Sequence, residues 1–125
     1  IGTEKTALIE TNHLNFFDMY LDNIRETPVK KVDYIVLNHT EPDHSGSLSK
    51  LLEVYPDAKI VGTSAAKIYL KNIVNRELDF IVAKDGETLD LGGKTLEFRI
   101  APFLHWPDTM FTYLKEDNLL FTCDF

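Results

Sequence analysis

Four side chains able to ligate a metal ion fall within six residues of the stretch LNHTEPDHSGS, Leu37 to Ser47: His39, Glu41, Asp43 and His44. The chain has only four histidines, and two of them are here. Acidic and His residues after a strand often form a solvated turn, and Pro42 and Gly46 are ordinary turn residues. All four groups at this spacing favour a ligand cluster instead. In an extended segment residues i and i+2 point the same way. His39, Glu41 and Asp43 are therefore expected to converge on one side, with Pro42 stiffening the turn. His44 is left to point elsewhere or to join Asp43 on a second centre. One loop could then serve two metal ions, with His39 and Glu41 on one and Asp43 and His44 on the other. Two further ligands are available downstream, His105 in LHWPDT and Asp124 after LLFT. Alone, a His beside Trp is usually structural and such an Asp is a solvated cap. Their weight comes from combination with the first loop.

The elements around these loops must hold them still. Thr6 to Ile9 reads as a short strand. Phe17, Tyr20, Leu21 and Ile24 repeat at helical spacing, which predicts a helix from Leu14 to Glu26, stopped by Pro28. Val32 to Leu37 is rich in β-branched and aromatic residues and predicts a buried strand. A helix from Leu48 to Val54 follows, with Ser45 or Ser47 as its cap, and ends before Pro56. Lys59 to Val61 is a strand, Ser64 to Val74 a helix capped by Ser64, and Phe80 to Ala83 a strand. Asp85-Gly86 marks a turn. Thr88 to Leu91 and Thr95 to Ile100 flank Gly92-Gly93 as a hairpin, and Met110 to Leu114 pairs with Leu119 to Thr122 over KEDN. The pattern predicts a mixed sheet with helices packed on it, an α/β or α+β layer arrangement. Both His-bearing loops directly follow apolar strands, where a sheet fixes them in place.

The bulk properties exclude several classes. At 125 residues the chain is one domain at most, and 44% apolar residues suffice for a core. A net charge of −7 without a basic face argues against nucleic-acid binding. No apolar run approaches the roughly 20 residues of a membrane span. The single cysteine, Cys123, excludes an internal disulfide framework and fits a reducing compartment, so a cytoplasmic location is expected. The tripeptide Asn38-His39-Thr40 matches a glycosylation acceptor, which is discounted because nothing else points to secretion. A start without Met and an end just after a strand suggest a fragment.

The order His39-x-Glu41-x-Asp43-His44, then His105, then Asp124, resembles the metallo-β-lactamase superfamily. Most members carry His at the second position of the first motif, where this chain has Glu41. With NHTEPDHSGSL, HWPDTMFTY and LLFTCDF, that change resembles the flavodiiron proteins, also called A-type flavoproteins or rubredoxin:oxygen oxidoreductases. The resemblance covers essentially the whole chain. It implies a metallo-β-lactamase-like αββα sandwich, incomplete here, with residues 1–125 as a partial diiron domain. The early strands of the fold, its last part and a C-terminal flavodoxin-like FMN domain would lie outside these residues. By similarity His39, Glu41 and His105 bind the first iron of a non-haem pair, Asp124 bridges both, and Asp43 binds the second. His44 is a possible further ligand, and a last His ligand from a later loop has no counterpart. The implied reaction is reduction of O2 to water or of NO to N2O, by an oxidoreductase. FMN, a rubredoxin-like donor and a head-to-tail homodimer complete the implied assembly.

Donor chemistry agrees with the resemblance. A carboxylate in place of an imidazole makes the site harder and more anionic, which suits iron that must reach the ferric state, whereas a His-rich site suits zinc. Two other readings compete. One is a zinc hydrolase on the same fold, which Glu41 disfavours. The other is a diiron module that binds O2 and signals. Among the remaining residues, Trp106 and Phe103 either wall a gas pocket or, as core packing, fill the interior. Tyr34 and Tyr113 are expected in the core or on a sheet face. Asp108 either accepts a hydrogen bond from a ligand His or caps a turn. Cys123 is expected to be a small buried residue, and His13 structural or exposed.

Overall fold

A computed structural model describes residues 1–125. The first strands are β1 (Ala7–Ile9), β2 (Tyr34–Val36), β3 (Lys59–Gly62) and β4 (Phe80–Val82), which form a parallel sheet in that order. Between them run α1 (Phe17–Arg25), a one-turn helix α2 (Pro42–Ser45), α3 (Leu48–Val54) and α4 (Ser64–Val74). The strands β5 (Thr88–Asp90), β6 (Thr95–Ile100), β7 (Met110–Leu114) and β8 (Leu119–Phe121) form a separate antiparallel meander. The mixed sheet expected from the element pattern is thus two sheets, each of one kind. The reason is connection length. Helices join the first four strands and allow parallel crossovers, while the last four are joined without helices, by short turns at residues 91–94 and 115–118 and by the His105 loop at residues 101–109, and pair antiparallel.

Two apolar layers hold the fold. Phe17, Leu21 and Ile24 of α1, Leu48, Leu51 and Leu52 of α3, and Ala66 and Leu70 of α4 pack on Ile35 and Ile60 of the parallel sheet. Tyr34, Val36 and Val61 point to the opposite face and meet Leu91, Leu96, Phe98 and Met110 of the meander. Alternate residues of β2 therefore serve different layers, and Ile35 and Val36 are both fully buried. The order is helix, sheet, sheet, so three of the four layers of the expected sandwich are present. No helix is long and apolar enough to cross a membrane.

Local signals deviate in instructive ways. The first turn of the Leu14 helix is a 3₁₀ turn over Leu14–Phe16, and His13 caps it by accepting the Asn15 N–H at 3.2 Å. Thr63, not Ser64, caps α4, its hydroxyl accepting the Ala66 N–H at 3.1 Å. Neither Ser45 nor Ser47 caps α3 through its side chain. Their hydroxyls donate instead to the Thr40 carbonyl and to Asn12 Oδ1, at 2.8 and 2.6 Å. Both serines thus brace the ligand loop.

Asn38, fully buried at the end of β2, joins the two sheets. Its carbonyl accepts the Met110 N–H at 2.9 Å, and its side-chain oxygen accepts the Thr112 hydroxyl at 2.6 Å. Its amide nitrogen donates to the Phe121 carbonyl at 3.3 Å. Burial also removes Asn38 as a glycosylation acceptor.

Gly46 closes the ligand loop at a close approach. A Cβ there would lie 2.4 Å from the Pro42 carbonyl oxygen and 3.0 Å from the Leu14 nitrogen. Gly46→Ala is expected to destabilise the fold by about 1–3 kcal/mol. Urea denaturation checks this, and an unchanged midpoint would show that the loop yields without strain.

Candidate metal centre

The first two candidate ligands of the loop, His39 and Glu41, behave differently from the last two, Asp43 and His44. His39 and Glu41 lie on extended backbone and converge, with His39 Nε2 3.2 Å from Glu41 Oε2. Asp43 does not join them. Pro42 starts the helical turn α2, favourable at a first helical position, and the turn swings Asp43 away toward His44. The expected three-residue convergence is therefore corrected to two, and the loop's four side chains fall into two groups.

His105 and Asp124 complete both groups. His105 Nε2 lies 3.6 Å from Glu41 Oε2 and 3.8 Å from Asp124 Oδ2. His44 Nε2 lies 2.8 Å from Asp124 Oδ1 and 3.8 Å from Asp43 Oδ2. Two clusters result, His39, Glu41, His105 and Asp124, and Asp43, His44 and Asp124, each with ligand atoms within 4.8 Å of one another. Asp124 belongs to both, and its two oxygens face different clusters. All six expected ligands are thus brought together.

The donors are supported from behind. His39 is fully buried, and its Nδ1 lies 3.3 Å from each oxygen of the buried Asp108 carboxylate. Asp108 Oδ2 also accepts the Thr40 N–H and hydroxyl, at 2.8 and 2.7 Å. Asp108 is therefore the partner of a loop His. Glu10, which the sequence reading passed over, occupies the equivalent place behind His44, with Oε2 2.8 Å from Nδ1. Its signal was its position, the first polar residue after β1, as His39 soon follows β2. Burial raises the Glu10 carboxyl above the usual carboxylate range, against the pull of His44. The hydrogen bond to Glu10 pushes His44 up to about 9, against its own desolvation.

The surroundings correct two other expectations. Phe103 and Trp106 are not core residues, being 77% and 43% exposed. The Trp106 ring still lies 5.3 Å from the His39 ring, edge-on, and walls that side of the site. Cys123 is half-buried, with burial pushing its thiol up to about 11. Its sulfur lies outside both ligand clusters. Tyr34 is buried in β2 as expected, and Tyr113 turns its hydroxyl to Asn118 at 2.7 Å.

The residues fit a pair of cations. Three carboxylates and three imidazoles converge, and no lysine or arginine is paired with Glu41, Asp43 or Asp124. Both His39 and His44 turn Nδ1 to a carboxylate and Nε2 inward, the usual disposition of a metal-bound imidazole.

Comparisons with known proteins agree. The model of the family described as "ODP family beta lactamase" matches residues 1–125. The flavo-diiron protein FprA2 of Clostridium acetobutylicum is 56% identical over 128 residues, covering 100% of this chain and 32% of that protein. The anaerobic nitric oxide reductase flavorubredoxin of Vibrio vulnificus is 43% identical, covering 99% of this chain and 26% of that one. The structure of the rubredoxin oxygen:oxidoreductase of Desulfovibrio gigas aligns with a TM-score of 0.91 at 32% identity, covering 98% of this chain and 31% of that one. The chain thus spans a third or less of these relatives.

Asp108→Ala would leave the Thr40 N–H, its hydroxyl and His39 Nδ1 without their buried partner. A loss on the order of 3 kcal/mol or more is expected, since each such group costs about 1–3. Chemical denaturation measures it, and a loss under about 1 kcal/mol would show that other groups or water replace the carboxylate.

Proposed function

Because this chain belongs to the ODP family beta lactamases, we propose that it is the diiron domain of a flavodiiron reductase of O2 or NO. The observation that carries the reading is Asp124, whose two oxygens face two separate ligand clusters. Glu41 adds the carboxylate that favours iron over zinc. His39, Glu41 and His105 would hold the first iron, Asp43 and His44 the second, and Asp124 both. Bound there, an iron pair would supply the binding site for O2 or NO and would relay electrons that FMN of the whole protein replenishes, for reduction to water or N2O.

The residues of this chain do the rest. Asp108 fixes the His39 ring, and Trp106 limits water on that side. Asn38 and the two serines of the loop keep its backbone from moving as charge changes at the site. In the whole protein, the reading implies a flavodoxin-like domain with FMN, a rubredoxin-like electron donor, a head-to-tail homodimer and a cytoplasmic location. The names of the Vibrio and Desulfovibrio relatives, one a flavorubredoxin and the other a rubredoxin oxygen:oxidoreductase, support the electron-transfer part of the reading.

Metal content tests it, on protein expressed from the complete gene and purified without oxygen. About two irons per chain with a coupled spectroscopic signature is the expected result. Zinc with little iron, from iron-replete cells, would replace redox chemistry with hydrolysis. In the same assay Glu41→His should let zinc displace most of the iron, and unchanged selectivity would remove Glu41 as its determinant.

A further inference from the structure

We propose that Glu10 is a positioning residue for the second metal, holding His44 in the tautomer that carries its proton on Nδ1 and leaves Nε2 free to ligate. This rests on the diiron reading of the site. Glu10 lies just past β1, beside the end of β2 from which the ligand loop starts. Its backbone is left-handed, with φ of 64°. That conformation costs a residue with a side chain about 1–3 kcal/mol and is usually left to Gly or Asn. Here the surroundings enforce it. The Glu10 N–H donates to the Val36 carbonyl at 2.8 Å, and the Tyr20 hydroxyl donates to the Glu10 carbonyl at 2.9 Å. The result is a carboxylate turned into the protein, with Oε1 accepting the Asn38 N–H and Oε2 facing His44 Nδ1.

The next residue extends the grip. The Thr11 N–H and hydroxyl both donate to the His44 carbonyl, at 2.9 and 2.7 Å. Consecutive residues thus hold His44 by backbone and by ring. An ionised carboxylate only accepts hydrogen bonds, so Nδ1 must be the donor. In a singly protonated ring Nε2 then carries a lone pair. That lone pair faces Asp124 and Asp43, two groups that also only accept when ionised. A metal cation, in the place of a second ring proton, completes such an arrangement.

Glu10→Gln separates this role from simple packing, because it keeps the size of the side chain. Glu10 serves two donors with two oxygens, and Gln has one. The Asn38 N–H is fixed in the backbone and keeps that oxygen. The new amide NH2 then faces His44 Nδ1 and donates to it, which moves the ring proton to Nε2 and removes the ligand atom. Glu10→Asp retains two oxygens and is the rescue.

The experiment is anaerobic ferrous-ion titration of the full-length protein, with Mössbauer spectra and a thermal melt of each variant. E10Q is expected to bind the second iron about 10–100-fold more weakly, with the first unchanged and the coupled signature lost. E10D should recover most of both. A wild-type affinity and spectrum in E10Q would overturn the proposal, as would E10D behaving like E10Q. If E10Q does not fold, the ring-nitrogen NMR shifts of His44 in zinc-substituted wild-type protein decide the matter. A proton on Nδ1 supports the proposal and a proton on Nε2 overturns it. A wild-type protein without a coupled pair would sink the diiron reading and this inference together. A coupled wild-type pair beside an unaffected E10Q would sink only the role of Glu10.

Discussion

The site depends on one residue that is not itself a ligand. Asn38 lies two residues past β2, a central strand of the parallel sheet, and both its backbone and its side chain are committed. Its carbonyl and side chain bond β7 and the end of β8, and its N–H bonds the Glu10 carboxylate. The ligand loop begins at the next residue. His39 and Glu41 therefore start from a point fixed against the strands that deliver His105 and Asp124. No buried side-chain nitrogen or oxygen in the protein lacks a hydrogen-bond partner. A polar seam between two apolar sheets is tolerable only under that condition, because an unmet polar group in such a place costs about 1–3 kcal/mol.

Backbone strain gathers at the same edge. Six residues other than glycine have positive φ. Two are asparagines, Asn75 at the end of α4 and Asn118 in the last hairpin turn, where the conformation is ordinary. The other four are Glu10, behind His44, Cys123, next to Asp124, His105 itself, and Phe103 in the same loop as His105. Outliers of this kind persist where surroundings over-determine them, and they cluster at functional sites. At His105 the φ of 107° is what brings the ring to Glu41 and Asp124 from a loop whose other large side chains are exposed.

Much of this was legible in the sequence, for definite reasons. Period-two and helical patterns located the strands and α1, α3 and α4 because each has an apolar face to bury. The candidate ligands were legible as a group because six side chains of the right chemistry recur in the order of a known family. The split into two sheets was not, since strand patterns record burial but not which strands pair. The path of Asp43 was misjudged because Pro42 both ends an extended run and begins a helical turn, and the turn prevailed. Glu10 escaped notice because a single acidic residue after a three-residue strand carries no periodic signal. Its role appears only when β1 lies beside β2. Asp108 was seen as one of two possibilities, and burial between His39 and Thr40 decides between them.

The ligands come from both halves of the chain. His39, Glu41, Asp43 and His44 follow the parallel sheet, while His105 and Asp124 belong to the antiparallel one. Any ion held by a cluster is therefore a cross-link between the sheets at one end of their interface. Binding and docking then share one free energy. The far end of the sandwich is fixed by apolar packing and by backbone hydrogen bonds from residues 3–5 to Leu91 and Gly92, but the ligand end tightens or loosens with its cargo. Such a protein would change its resistance to unfolding as the iron supply of the cell rises and falls.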